Sequence, residues 1–131
     1  MTRFFFTLAF LCAATAALAQ DRGTILVLDG SGSMWAQLPE GRSRIEVARD
    51  VLDDFLSARD PAQPLGVIAY GHNRRGDCSD IETIATVGIQ DGRALGARLR
   101  GLMPRGKTPL ADALRRLVEA GWRRAFWSGG R

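Results

Sequence analysis

Apolar residues follow two kinds of pattern along the chain. Residues 24–28 and 65–70 are continuous apolar runs, typical of strands that are buried on both faces of a parallel sheet. A shorter third strand is predicted near residues 81–87. Between and after these runs apolar residues recur at helical spacing, which predicts three helices. The order strand, helix, strand, strand, helix, helix indicates an α/β domain.

Polar residues mark where the predicted helices begin. Ser43, with Glu46 three residues later, forms a capping box for the first helix. Asp91 is the predicted cap of the second helix. Thr108 is predicted at the N-cap of the third helix, with Pro109 at the first helical position.

The composition is that of an ordinary globular domain. The chain has 131 residues, of which 46% are hydrophobic and 24% charged, enough for one small domain. Its formal net charge is +4, but the basic residues are scattered except for a cluster near the C-terminus. A nucleic-acid-binding protein more often shows a continuous basic face with interleaved aromatic residues. We therefore expect no nucleic-acid partner.

The N-terminal residues predict a secretory signal peptide at 1–19. Arg3 precedes an apolar run at 4–11, and residues 17–19 (Ala-Leu-Ala) form an A-x-A cleavage site. A membrane anchor is the alternative, but the strongly apolar part is short for a span. We expect cleavage after Ala19, no membrane span in the mature chain, and a periplasmic or secreted location.

The candidate chemistry follows the first predicted strand, where the chain reads Asp29-Gly30-Ser31-Gly32-Ser33. Carboxylate and hydroxyl oxygens suit Mg²⁺ or Mn²⁺. The glycines let the backbone curl tightly enough for the three side chains to converge. A loop at the carboxyl end of a parallel strand also lies at the edge where open α/β folds bind ligands. The simpler alternative is a tight turn in which Asp29 and Ser33 only cap the backbone.

This D-x-S-x-S pattern resembles the metal-ion-dependent adhesion site of von Willebrand factor type A domains. Together with residues 69–82 (AYGHNRRGDCSDIE) and 106–114 (GKTPLADAL), it is similar to a group of exported bacterial proteins of that family. The resemblance implies a Rossmann-like sandwich, with a mainly parallel sheet, helices on both faces and a metal at the upper edge. Carried over by residue, the implied metal ligands are Asp29, Ser31, Ser33 and Thr108.

The resemblance implies a binding module and not an enzyme. In such a module the ligands hold Mg²⁺ or Mn²⁺ directly or through water, and an open coordination position accepts an acidic residue of a partner protein. The ion offsets the desolvation of that carboxylate. Trp35, beside the loop, either frames this contact or packs in the core.

The sequence departs from the family pattern at the third metal loop, which brings an aspartate after a further buried strand. Residues 121–131 contain neither an apolar strand nor an Asp-Gly pair. We therefore expect a partial domain at 20–121, a tail at 122–131 that does not match the fold, and weakened Mg²⁺ binding. The resemblance also implies that Cys78 lacks a partner cysteine. A non-functional truncated fragment is an alternative.

A nucleotide-binding loop is a further alternative, because residues 101–108 satisfy the pattern G-x-x-x-x-G-K-[ST]. In that case Lys107 would reach the terminal phosphates and Thr108 would hold Mg²⁺. The motif requires a buried strand directly before Gly101, whereas the apolar residues there recur at helical spacing. The sequence therefore disfavours this interpretation.

The loop after the second strand carries a weaker candidate. His72 is the single histidine of the chain, and we expect it to make structural hydrogen bonds and not to act as a base. One imidazole and one thiol also make a weak zinc set. That set would consist of His72, Asp77, Cys78 and Asp80.

Overall fold

The computed structural model of the chain describes residues 23–119. The predicted signal peptide (1–19) and the predicted tail (122–131) lie outside the described residues. Within them the order of elements is the predicted one, with a short 3₁₀ turn added after the first strand. The elements are β1 (Thr24–Asp29), the 3₁₀ turn (Gly32–Trp35), α1 (Arg44–Ala58), β2 (Leu65–Tyr70), β3 (Ile81–Gly88), α2 (Gly92–Arg100) and α3 (Leu110–Leu117).

The first two helices begin where the sequence predicts. The Ser43 hydroxyl accepts from the Glu46 backbone N–H at 3.4 Å, and the Glu46 carboxylate accepts from the Ser43 N–H at 2.7 Å. At the start of α2, the Asp91 carboxylate accepts from the N–H groups of Arg93 and Ala94. The bonds from Ala94 and Arg93 lower the pKa of the Asp91 carboxyl. Both caps therefore satisfy backbone donors that the first turn of a helix leaves unpaired.

The third helix begins later than predicted, and the assignment of Thr108 as its N-cap is wrong. Pro109 occupies the N-cap with a ψ of 54°, which is not helical, so α3 begins at Leu110. The Ala113 N–H donates to the Pro109 carbonyl at 2.9 Å. The hydroxyl of Thr108 is therefore not used to cap α3.

The described strands form one mixed sheet of order β1-β2-β3. β1 and β2 are parallel, with Thr24 opposite Leu65 at one end and Asp29 opposite Tyr70 at the other. β2 and β3 are antiparallel. The carboxyl ends of the two parallel strands therefore meet at one edge of the sheet, which we call the upper edge.

β1 is less buried than a continuous apolar run predicts. Leu28 is its one buried residue, and Ile25, Leu26 and Val27 are half-buried. Within residues 23–119 β1 pairs with β2 alone, so no neighbouring strand covers its other side. β2, which has a strand on each side, is buried at every position. Within the described residues the first strand is therefore an edge strand and is only partly buried, as expected where the further strand of the family pattern is lacking.

Helices cover both faces of the sheet, as predicted. Leu65, Val67 and Ala69 alternate along β2 and belong to the main hydrophobic core, which also includes residues of β1, β3 and α2 and is flanked by residues of α1. Ile68 and Tyr70 point to the opposite face, where they are also buried. α3 contacts β2 and β1 and covers that face. No helix among residues 23–119 combines the length and apolar character needed to cross a bilayer.

Candidate functional site

The first predicted metal loop is a tight turn held by its own hydrogen bonds. The Ser31 N–H donates to Oδ1 of Asp29 at 2.7 Å, and the hydroxyls of Ser31 and Ser33 lie 2.9 Å apart. Ser31 is buried, Asp29 is half-buried and Ser33 is exposed. Gly30 is needed because a Cβ there would lie 2.7 Å from the Tyr70 carbonyl. The two serine hydroxyls are therefore adjacent, and the Asp29 carboxylate is held against the backbone of the same loop.

The structure brings the segment before Thr108 against this loop. Ser31 and Gly106 form an isolated parallel β-bridge, and the Gly32 N–H donates to the Gly106 carbonyl at 3.0 Å. Thr108 is exposed and lies two residues beyond this bridge. None of the hydrogen bonds among residues 23–119 uses its hydroxyl. The two segments predicted to share an ion are therefore neighbours, and the threonine hydroxyl is free to bind a ligand.

Gly71, at the end of β2, holds these two segments together. Its carbonyl accepts from the N–H groups of Arg105 at 3.0 Å and Gly106 at 2.8 Å. Its φ of +69° is in the left-handed region that favours glycine. A Cβ at this position would lie 2.5 Å from the Lys107 carbonyl. Three loops therefore meet at the upper edge, and the middle one requires glycine for two independent reasons.

Tyr70 is a member of the site that the sequence analysis missed. It lies opposite Asp29 in the β1–β2 register. Burial and, next, the negative charge of the neighbouring Asp29 raise the pKa of Tyr70 to about 12. The neutral phenol is therefore available to orient the carboxylate. The sequence did carry one signal for this contact: two apolar runs of matching length each end at a polar side chain.

Trp35 lies at the end of the 3₁₀ turn, and its side chain is not a core residue. It is 46% exposed, and its indole N–H donates to the Pro104 carbonyl at 2.9 Å. This bond links the first loop to the start of the segment that carries Thr108. The alternative of a packed core tryptophan is therefore wrong.

The donor set fits a small hard cation. It consists of one carboxylate and three hydroxyls, and no cluster of three or more His, Cys, Asp or Glu side chains occurs within residues 23–119. Adjacent ligands of an octahedral Mg²⁺ with bonds of about 2.1 Å lie about 3 Å apart. The 2.9 Å between the hydroxyls of Ser31 and Ser33 matches that spacing. The oxygen chemistry therefore suits Mg²⁺, and the spacing of the two serine hydroxyls, which is also that of a hydrogen bond, is compatible with it.

The loop after β2 holds structural hydrogen bonds in place of a zinc site. His72 is buried, and its Nε2 lies 3.0 Å from Oε2 of Glu82. Hydrogen bonds from Asn73 and His72 lower the pKa of Glu82. Asp80 is buried and accepts from the Asn73 N–H at 2.8 Å, whereas Cys78 is exposed and unpaired. The side chains of the alternative zinc set are therefore engaged elsewhere or turned to solvent.

The structural setting of a nucleotide-binding loop is missing. Helix α2, not a strand, precedes Gly101, and Gly101 caps that helix. The Gly106 N–H donates to the Gly71 carbonyl at 2.8 Å, whereas a phosphate cradle needs its amides free. The nucleotide-binding interpretation of residues 101–108 therefore loses its structural support.

An α/β domain whose loops converge at the carboxyl edge of parallel strands belongs to the class that binds ligands at that edge. The sequence model of the von Willebrand factor type A domain matches residues 24–130. The chain therefore belongs to the von Willebrand factor type A family. Domains of this family commonly mediate protein interactions.

The fold is also similar to that of a solved structure. A crystal structure described as an uncharacterized membrane spanning protein from Vibrio fischeri aligns with a TM-score of 0.52 and 21% identity, over 75% of this chain and 50% of that one. The chain thus spans half the length of that protein, and the likeness concerns the fold alone. No curated protein matches the chain significantly.

Proposed function

We propose that this chain is an exported, non-enzymatic binding domain that uses a divalent cation to bind an acidic residue of a partner protein. The ion is Mg²⁺ or Mn²⁺. Its ligands, direct or through water, are Asp29, Ser31, Ser33 and Thr108.

The observation that carries this proposal is the bridge between Ser31 and Gly106. It joins the loop that holds the carboxylate to the loop that holds the threonine. Asp29 is further oriented by the Ser31 N–H, which donates to its carboxylate. A ligand set that is held in place before the ion arrives loses less conformational entropy on binding.

The exposure of the ligands supports the second half of the proposal. Ser33 and Thr108 are exposed, whereas Ser31 is buried beneath them. An ion bound here has protein oxygens on one side and solvent on the other. A carboxylate from a partner can replace water on the open side, and the positive ion offsets the cost of desolvating it.

The test is a Mn²⁺ titration followed by electron paramagnetic resonance. We expect saturable binding by the wild type and an affinity at least about tenfold lower for Asp29→Ala, because even the outer partners of metal ligands are typically worth 10- to 100-fold. Thr108→Ala should weaken binding, and Thr108→Ser should largely restore it. The matched control is Asp60→Ala, which removes an exposed carboxylate before β2, at the opposite edge of the sheet.

Equal affinities for the wild type and Asp29→Ala would remove the proposed site. The alternative of a non-functional fragment makes a different prediction, since no variant and not even the wild type would then bind Mn²⁺ saturably. If Mn²⁺ increases the affinity of the protein for acidic peptides, that result would support the partner-binding half of the proposal.

A further inference from the structure

Building on the proposed function, we infer that the rim of the metal site selects one class of partner. That partner is an acidic protein segment with an aromatic or large apolar residue next to the carboxylate that reaches the ion. Two features carry the inference. They are an apolar shelf formed by Trp35 and Met103, and a basic rim formed by Arg105 and Lys107.

The apolar shelf begins at Trp35, two residues after the ligand Ser33 in the same 3₁₀ turn. Its indole N–H is already bonded to the Pro104 carbonyl, so the 46% of the residue that is exposed needs no polar partner. The same bond fixes the orientation of the ring. An exposed tryptophan with a satisfied N–H and a fixed ring loses little entropy when a partner covers it.

Met103 is assigned to the shelf because it directly precedes Pro104, whose carbonyl accepts from the indole, and is itself 41% exposed. Nη2 of Arg49 donates to the Leu102 carbonyl at 2.8 Å and lies 3.9 Å from Sδ of Met103. A side chain from α1 therefore holds this segment in place. Tryptophan and methionine are both enriched at the centres of protein interfaces, and methionine adapts to the shape of what it contacts.

The basic rim flanks Gly106, the residue that pairs with Ser31. Arg105 and Lys107 are both exposed, and neither takes part in an ion pair among residues 23–119. Several other arginines of the described part are paired; Arg98 and Arg100, for example, pair with Glu82 and Asp53. Two cations that flank the bridging Gly106 and are unpaired within the described residues favour a partner with more than one acidic residue.

The two features together distinguish this surface from a bare cation site. The ion takes one carboxylate, the basic rim attracts further acidic residues, and the apolar shelf needs a large side chain nearby. Charge complementarity therefore selects an acidic protein segment, and the shelf selects which acidic segment binds.

The test uses an array of synthetic nine-residue peptides with a central Glu in an Ala/Ser background, probed in buffer with Mn²⁺. One series places a single Phe at each flanking position, and a second series adds Asp residues. We expect Phe at one or two positions to increase wild-type binding about fivefold. Trp35→Ala should abolish this gain when each protein is saturated with Mn²⁺, and Trp35→Phe should retain part of it.

The Asp series tests the basic rim. The double variant R105Q/K107Q should lose a roughly two- to fivefold gain from added Asp while keeping the Phe preference, because exposed charge pairs contribute modestly. Salt should reduce that gain in the wild type. The matched controls lie at the opposite edge, where Ile89→Ala removes an exposed apolar residue and Arg93→Gln an exposed cation.

The outcomes separate this inference from the proposed function. Peptide binding that requires Mn²⁺ and Asp29, with the same Phe preference in Trp35→Ala as in the wild type, overturns the selective rim and leaves the metal site intact. A Phe preference that depends on Trp35 but not on Mn²⁺ or Asp29 overturns the metal site and supports the rim. Loss of the Phe preference in the controls Ile89→Ala and Arg93→Gln would also contradict the inference of a selective rim.

Discussion

Ser31 and Gly106 lie on loops that are far apart in the sequence, yet their backbones pair as an isolated parallel β-bridge. The Gly32 N–H completes the contact by donating to the Gly106 carbonyl at 3.0 Å. This pairing links the Asp29 carboxylate to the segment that carries Thr108. The candidate metal centre therefore depends on backbone hydrogen bonds between loops as much as on the ligands themselves.

Gly106→Ala should weaken both the fold and the site. A Cβ at this position would lie 2.7 Å from the Arg74 carbonyl and 3.0 Å from Cα of Gly71, so the backbone must move. We expect a loss of about 1–3 kcal/mol in the free energy of unfolding and a lower affinity for Mn²⁺. Urea denaturation and Mn²⁺ titration measure the two effects. Gly88→Ala is the control, because its nearest contact, at 3.9 Å, is ordinary.

Tyr70 should titrate far above an ordinary tyrosine. It is the single tyrosine of the chain, so the near-ultraviolet absorbance of the phenolate reports it alone. In the folded protein with EDTA we expect a midpoint near the pKa of about 12, and in denaturant one of about 10. Because the folded pKa is raised, its stabilising contribution is complete below about pH 10 and lost as the pH rises toward 12.

Tyr70→Phe tests whether the phenol positions the Asp29 carboxylate. It removes the hydroxyl of the residue opposite Asp29 in the strand register and should lower Mn²⁺ affinity several-fold, since outer partners orient metal ligands. It should also flatten the loss of stability between pH 10 and 12. A variant with wild-type Mn²⁺ affinity would show that the phenol does not position the carboxylate.

Glu82→Gln should change how the protein responds to acid. Asn73, His72 and Arg98 contact the Glu82 carboxylate at 2.9–3.1 Å, and hydrogen bonds from Asn73 and His72 lower its pKa below 4.5. A lowered acid pKa stabilises the fold above 4.5 and ceases to do so as the pH falls through the folded value.

The variant should therefore be less stable than the wild type at neutral pH, by about 1 kcal/mol for this partly exposed group. The difference should shrink below pH 4.5. Urea denaturation at a series of pH values measures it. Glu40→Gln, which replaces an exposed carboxylate without a hydrogen bond or ion pair in the described part of the chain, should show no such trend. A difference independent of pH would contradict the prediction.

Lys107→Ala separates the metal site from the nucleotide-binding alternative. The lysine is exposed and is not in the proposed ligand set, so Mn²⁺ affinity should stay within about twofold of the wild type. A nucleotide loop would instead lose its contact to the terminal phosphates. Titrations with Mn²⁺ and with a fluorescent ATP analogue measure both. Wild-type binding of the analogue that Lys107→Ala abolishes would favour the alternative.

The sequence by itself determined the elements and their order. Continuous apolar runs, helical spacing and the caps at Ser43 and Asp91 are local signals, and the structure has these features where they were predicted. The loop from Asp29 to Ser33 was also predictable, because its ligands are neighbours in the chain. Local signals were weaker at Pro109, whose backbone delays the start of α3 by one residue.

Only the tertiary structure decided which residues from different loops meet. The bridge from Ser31 to Gly106, the contact from Tyr70 to Asp29 and the anchoring of Trp35 on Pro104 each join distant segments. Such contacts depend on strand register and backbone hydrogen bonds, which leave no periodic trace in the sequence. The partial exposure of β1 has the same origin, since burial is set by neighbouring strands and not by the apolar run alone.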